Sequence, residues 1–202
     1  MGLISNGTTL LDAGSISVTA GALVLIKTLT ASVSDDLTFL NGSSDVVFDS
    51  TYKEYIFKLI SNHPYANPGI ISFQATTDGT NYNTTVTSTY LRAYHDEGDS
   101  SAALQYATGF DQAQGTAIQG LDSGSGNDND QASSGLLRVF DPSNTTFVKH
   151  FIATNNAIDE GDGSRNNFVA GYANTTSAVD AVQFKFASDE IQAGTITLYG
   201  IN

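Results

Sequence analysis

An all-β fold, a single antiparallel β-sandwich, is predicted by three features of the sequence. Short segments alternate apolar and polar residues, as at Val182, Phe184 and Phe186, with the two-residue period of a half-buried strand. Clusters of Gly, Asn, Asp and Ser separate these segments and indicate turns. No segment shows helical amphipathicity over more than two turns. The chain of 202 residues, 40% of them hydrophobic, is large enough for one core.

The first 14 residues are predicted to form an amino-terminal arm, and residues 15–202 to form the sandwich domain. The arm is composed mainly of small and polar residues and is interrupted by glycines. It therefore has little apolar surface with which to hold its place. We expect four apolar side chains to anchor it, namely Leu3, Ile4, Leu10 and Leu11.

The first half of the sandwich contains several candidate strands. The most apolar is 52–61, where Tyr55 and Phe57 face one way. Ile56 and Ile60 face the other way, so we expect a central strand buried on both sides. The other candidates in this half are 15–19, 22–31, 37–40, 45–49, 70–76 and 84–92.

The middle of the chain is predicted to be a long loop excursion from the sandwich, at about residues 96–134. Two acidic stretches rich in Gly and Ser lie within it, around 96–99 and 122–130. Neither the part of the chain before the excursion nor the part after it looks like a complete sandwich alone, so we interpret the excursion as part of one domain. Strands are predicted again at 135–141, 145–155, 166–174, 179–187 and 194–202.

The charge balance limits the partners of this protein. There are 21 Asp and Glu residues against 8 Lys and Arg, a formal net charge of −13. Nucleic acid is therefore not expected as a partner, because its phosphates require a cationic surface, and an anionic membrane is disfavoured for the same reason. Only 14% of the residues are charged. A surface of short uncharged side chains loses little rotamer entropy on burial, which favours packing against further copies.

Cysteine is absent, so disulfides and thiolate metal sites are excluded. The segment after Met1 has neither a basic region nor a long apolar core. We therefore expect no signal peptide, no membrane insertion and synthesis in a cytoplasm.

The sequence contains no recognisable catalytic motif. His63, His95 and His150 have no second ligand or base at motif spacing, and His150 is expected to be a partly buried strand residue. Serines in Gly-rich loops match only fragments of a hydrolase motif. We therefore predict no enzymatic activity and no cofactor. One enzymatic alternative stays open, a polysaccharide depolymerase, because paired carboxylates such as Asp128 or Asp162 need no sequence signature.

The acidic loops raise the question of a bound cation. Asp128 and Asp130 are two residues apart, and Glu160 and Asp162 repeat that spacing. Carboxylates in such loops can bind Ca²⁺, but neither loop has the Gly and Glu offsets of the twelve-residue calcium motif. Solvated surface loops are the preferred interpretation. A Ca²⁺ site at Asp128, Asp130 and Asp162 is the alternative.

Six segments of the sequence follow a pattern shared with a known group of proteins, namely 52–57, 134–142, 146–151, 167–172, 181–186 and 194–201. In these segments the sequence resembles small jelly-roll-like virion structural proteins of marine bacteriophages and cyanophages. The resemblance extends from about residue 32 onward and rests on structural motifs, none of them catalytic. It implies a jelly-roll-like sandwich and a place in the virion, with synthesis in the cytoplasm of the host bacterium.

Two roles follow from this resemblance. The preferred one is a capsid decoration (cement) protein, a homo-oligomer and most simply a trimer, whose arm docks onto the major capsid protein or a tail protein. The alternative is a tail or tail-fibre module that acts as an adhesin for a host-surface glycan. In that role the aromatic side chains Tyr94, Tyr106 and Phe110 would stack on sugar rings.

Overall fold

The structure, a computed structural model, describes residues 3–5, 8–12, 15–16, 23–187 and 189–201, with the backbone alone in the first three segments. Every regular element within these residues is a β-strand. No helix long and apolar enough to cross a membrane was found in the part that was described. The strands are β1 (Leu3–Ser5), β2 (Thr8–Asp12), β3 (Ser15–Ile16), β4 (Leu23–Ser34), β5 (Leu37–Leu40), β6 (Glu54–Pro64), β7 (Ile71–Thr76), β8 (Val86–Asp96), β9 (Ala102–Tyr106), β10 (Ala113–Gly115), β11 (Gln119–Gly120), β12 (Ser133–Phe140), β13 (Lys149–Ile158), β14 (Gly163–Ala173), β15 (Ala181–Phe186) and β16 (Ile191–Ile201).

The predicted arm contains two strands, β1 and β2. They form a three-stranded antiparallel sheet with β3, which lies just beyond the arm at the start of the predicted sandwich domain. The anchoring role predicted for Leu3, Ile4, Leu10 and Leu11 concerns side chains that lie outside the described part of the structure.

The remaining strands form two antiparallel sheets that pack face to face, which confirms the predicted β-sandwich. The larger sheet has nine strands in the order β10-β8-β14-β13-β12-β6-β16-β4, with β9 paired to β8. The smaller sheet has four strands in the order β11-β7-β15-β5.

Eight of these strands form a jelly roll. In chain order they are β4, β5, β6, β7, β11, β12, β15 and β16. The first, eighth, third and sixth are neighbours in the large sheet, and the second, seventh, fourth and fifth make up the small one. This is the strand order of a jelly roll, an eight-stranded fold made of two Greek keys.

Two insertions extend the larger sheet beyond β12. The first insertion, residues 77–118, contributes β8, β9 and β10, and the second, residues 141–180, contributes β13 and β14. The two insertions join where β14 pairs with β8 along eleven residue pairs, from Gly163 with Asp96 to Ala173 with Val86. The predicted excursion at 96–134 is thus the latter part of the first insertion, followed by β11 and the loop before β12.

The core lies between the two sheets and is rich in phenylalanine. Phe57 of β6 contacts Phe39 at 5.2 Å and Phe184 at 5.1 Å between ring centroids, so both sheets contribute to one aromatic cluster. Phe73 contacts Phe151 at 5.0 Å in an edge-to-face arrangement, a geometry that aromatic quadrupoles favour.

The prediction that strand 52–61 is buried on both sides is wrong for its second side. Tyr55, Phe57 and Leu59 face the core and are buried. On the opposite side Ile56 is buried, but Ile60 is 40% exposed and its neighbour Lys58 is also exposed. The reason is that no second layer covers that side of the large sheet among the described residues.

Candidate assembly surface

We call the side of the nine-stranded sheet that is turned away from the small sheet the outer face. Alternate residues of each strand lie on it, because successive side chains of a strand point to opposite sides. Burial alternates accordingly along β13, where every second residue from Lys149 to Ala157 is buried. The outer face therefore consists of the exposed residues at alternate positions of these strands.

Large apolar side chains form a row across the outer face. Leu91 of β8 pairs with Phe168 of β14, and Phe168 pairs with Thr154 of β13, which in turn pairs with Leu136 of β12. Phe168 is 44% exposed, Leu91 45% and Leu136 39%. We call these three side chains the ridge. Tyr106 of β9 continues this row beyond Leu91.

A depression lies beside the ridge. Its floor includes Ala170, two residues along β14 from Phe168, and its volume is about 470 Å³. An adjoining depression of about 480 Å³ shares Phe140 and His150 with it and extends to the exposed Phe147. The main walls of the first depression are Thr89, Phe140, His150, Ile152 and Tyr172.

His150 belongs to this surface and not to the interior. It is exposed, with its ring edge toward Tyr172 at 6.1 Å between centroids, so the expectation of a partly buried imidazole is wrong. The inward positions on either side of it are taken by Lys149 and Phe151, which are buried.

Acidic residues are nearly absent from the outer face. The nine strands contain only two of the 21 acidic residues, Glu54 and Asp96. Glu54 is paired with Arg138, whose Nη1 donates to Oε1 at 3.0 Å. Antiparallel sheets with one solvated face usually show polar residues there. A face with several exposed apolar side chains and a single acid, already paired, on a protein with a net charge of −13, therefore indicates a surface for macromolecular contact.

The three aromatic residues predicted to bind a glycan do not form one platform. Tyr106 lies on the outer face and is 48% exposed, with its hydroxyl donating to Asp111 at 2.7 Å. Tyr94 and Phe110 lie on the opposite side of the sheet. Their rings are covered by the guanidinium groups of Arg165 at 5.8 Å and Arg92 at 5.9 Å respectively.

The predicted calcium ligands are not gathered into a site. Asp162 accepts a hydrogen bond from Gln131 Nε2 at 2.9 Å, while the Asp128 backbone N–H donates to Gln131 Oε1 at 3.2 Å. Across residues 23–187 and 189–201, no three His, Asp or Glu side chains converge in a geometry that could hold a metal ion.

The structure also reveals a buried carboxyl group that the sequence did not distinguish from the other loop acids. Asp122 is fully buried, and it accepts hydrogen bonds from the Ser125 hydroxyl at 2.8 Å and the Gly124 N–H at 3.2 Å. Burial raises the pKa of this carboxyl to about 6. It packs near the Tyr90 ring, whose own pKa is raised by burial and by the charge of Asp122.

One sequence signal could have revealed the outer face. Leu136-Leu137 and Phe168-Val169 are apolar pairs within strands, and adjacent strand residues point to opposite sides. Each pair therefore places one apolar side chain in the core and one on the outer face.

Comparison of the chain with protein-family models, with curated proteins and with solved structures gave no match.

Proposed function

We propose that this protein is a structural component of a bacteriophage virion, a capsid decoration protein that assembles as an oligomer on the particle surface. The observation that carries the proposal is the apolar outer face, with Leu91, Leu136, Ile152 and Phe168 exposed across four neighbouring strands. Monomeric proteins rarely expose contiguous apolar patches of this extent, so protein contact is the function that such a face supports best.

The distribution of charge supports the same role. Nineteen of the 21 acidic residues lie outside the nine strands of the large sheet, mostly in loops. Loops of this kind remain hydrated when the outer face is covered, and their shared negative charge opposes non-specific association between particles. The role requires no catalytic residue and no cofactor, and its location is the virion after synthesis in the bacterial cytoplasm.

The proposal is tested by quantifying this protein in purified virions against the major capsid protein on a stained gel. A copy number comparable with that of the capsid protein is expected for decoration. A small fraction of that number would instead indicate a tail or fibre component. Absence of the protein from purified particles would overturn the proposal.

A cavity at the edge of the large sheet favours one second candidate, the glycan-binding adhesin. Arg165 in this cavity forms an ion pair through Nε with Asp159 Oδ2 at 2.7 Å, although the N–H is not aligned for a hydrogen bond. Arg92 has no acidic partner within the described residues. The cavity of about 160 Å³ is lined by Arg92, Tyr94, Ala103, Gln105 and Arg165.

Two guanidinium groups beside a small cavity suit a carboxylate, which arginine binds through paired hydrogen bonds. The cavity of about 160 Å³ is roughly ten times the 10–15 Å³ that one enclosed water requires, so it has room for one sugar ring. The adhesin would therefore bind an acidic sugar such as glucuronate, tested by calorimetry with neutral glucose as the matched ligand. Arg92→Gln should weaken binding at least about tenfold, and Lys58→Gln, the same charge loss on the outer face, should not. Equal heats for both sugars would exclude this role.

A further inference from the structure

We infer that the outer face is covered by the outer face of a second copy of this chain, in a face-to-face contact about a twofold axis. The inference deepens the proposed assembly role by naming the partner, and assembly is the only part of the proposed function on which it rests. It does not depend on whether the assembly occurs on a capsid.

The size of the face meets the requirement of a stable interface. Neighbouring strands lie about 4.8 Å apart. The sheet is eight strands wide, because β9 and β10 both lie along the same edge of β8, and seven spacings give a width of roughly 34 Å. Strands β12 and β14 contain 8 and 11 residues, which corresponds to roughly 26–36 Å at about 3.3 Å per residue. The resulting area of roughly 1,000 Å² per copy exceeds the ~800 Å² per partner of a standard protein interface.

The relief of the face is complementary to itself. The ridge consists of large, partly exposed side chains (Leu91, Phe168 and Leu136), and the depression over Ala170 lies two residues further along β14. Two residues correspond to about 6.8 Å along a strand. A twofold axis that lies in the interface, runs across the strands parallel to the ridge and passes midway between the ridge and the depression places the ridge of each copy in the depression of the other. Two sheets packed in this way lie about 10 Å apart, the spacing found between the sheets of a sandwich.

The charges also favour a second copy. Two chains that each carry a net charge of −13 repel one another wherever their acidic loops meet. The outer face is the broad surface on which that repulsion is minimal, since its one acid, Glu54, is already paired with Arg138. Added salt screens the repulsion between the loops, so the association should strengthen as ionic strength rises.

A twofold contact fits this face better than the trimer expected from the resemblance. A trimer needs a head-to-tail contact in which two different patches of each copy meet. The ridge and the depression lie side by side on a single face, and this is the arrangement that a self-complementary twofold contact requires.

The test is the mass of the purified full-length chain, measured by light scattering after gel filtration at low and high salt. We expect twice the 21.2 kDa of one chain, with the dimer fraction rising with salt. A monomer at high micromolar concentration would overturn the inference, and a mass of three chains would overturn the twofold arrangement.

Substitutions show whether the outer face makes the contact. Ile152→Asp and Ile152→Arg both place a charge in the centre of the face but change the net charge in opposite directions, so both should give monomers. Val47→Asp is the matched control, because Val47 is an exposed valine in a loop away from the sheet. Circular dichroism verifies that each variant is folded. A folded Ile152→Arg variant that remains dimeric would overturn the inference, whatever the outcome of the virion experiment.

Discussion

Replacing Asp122 by asparagine should change how the stability of the protein depends on pH. Asp122 is fully buried, and burial raises its pKa from 3.8 to about 6 in spite of hydrogen bonds from Ser125 and Gly124. Asparagine has nearly the same shape and does not ionise. The substitution therefore removes the cost of a buried charge while leaving the surrounding packing in place.

The direction of the effect follows from the two pKa values. Between about pH 4 and pH 6 the folded protein holds a proton on Asp122 that the unfolded chain has released. The stability that this proton contributes is fully present below the unfolded pKa of 3.8 and is lost as the pH rises through the folded pKa. At about 1.36 kcal/mol per pKa unit, the loss is on the order of 3 kcal/mol.

The measurement is urea unfolding of both proteins from pH 4 to pH 7.5, followed by tyrosine fluorescence because the chain has nine Tyr and no Trp. The difference in unfolding free energy, variant minus wild type, should rise by on the order of 3 kcal/mol, mostly between pH 4 and pH 6.5. Any change in hydrogen bonding of the Asn side chain adds the same amount to this difference in unfolding free energy at every pH. The change of the difference with pH is therefore unaffected by it.

Asp78→Asn is the control, because it removes a carboxyl group whose pKa is lowered. Asp78 is exposed, and hydrogen bonds from Asn81, Thr80 and Thr76 lower its pKa. Its contribution is therefore present above pH 3.8 and is lost as the pH falls through the lowered pKa. That loss lies below the measured range, so the stability difference for Asp78→Asn should stay constant from pH 4 to pH 7.5. A stability difference for Asp122→Asn that does not change with pH would refute the assignment of Asp122 as a buried carboxyl group with a raised pKa.

Two further predictions concern packing. Phe57→Ala should lower the unfolding free energy by about 3–5 kcal/mol, because the ring is fully buried in the aromatic cluster. The control is Phe147→Ala, at a ring that is 69% exposed, and it should change the unfolding free energy by less than about 0.5 kcal/mol. Urea titrations of both variants check this, and similar losses would contradict the core described above. Gly135→Ala should cost about 1–3 kcal/mol, because a Cβ there would clash with the carbonyl oxygen of Thr154 on the facing strand. Gly109→Ala, where a Cβ meets nothing within 4 Å, should be neutral in the same thermal-unfolding assay.

The strands of the sandwich were predictable because their signal is local. Alternation at Val182, Phe184 and Phe186 reflects one buried and one less buried side of β15, and neighbouring residues alone encode it. Whether the second side of a strand is covered depends instead on distant parts of the chain. For this reason the periodicity at Ile56 and Ile60 could not distinguish a doubly covered strand from one with an apolar exposed side.

The candidate site was less predictable than the fold. Tyr94, Tyr106 and Phe110 were grouped because they are close in sequence and aromatic, but strand pairing separates them onto two sides of the sheet. Asp122 resembles every other loop acid in the sequence, and only folding buries it. Its burial is a property of the folded chain, and single-sequence patterns carry no record of it.

The joining of the two insertions has a consequence for how this protein can be shortened or recombined. Because β8 pairs with β14, removing residues 77–118 alone would leave β14 as a long open edge strand. Removing 141–180 alone would leave β8 without its main partner, β14, and would expose the edge of β12 that pairs with β13. Open edges of this length promote aggregation. The two insertions therefore form one unit that can be gained, lost or grafted only as a pair, although 22 residues and two jelly-roll strands separate them in the chain.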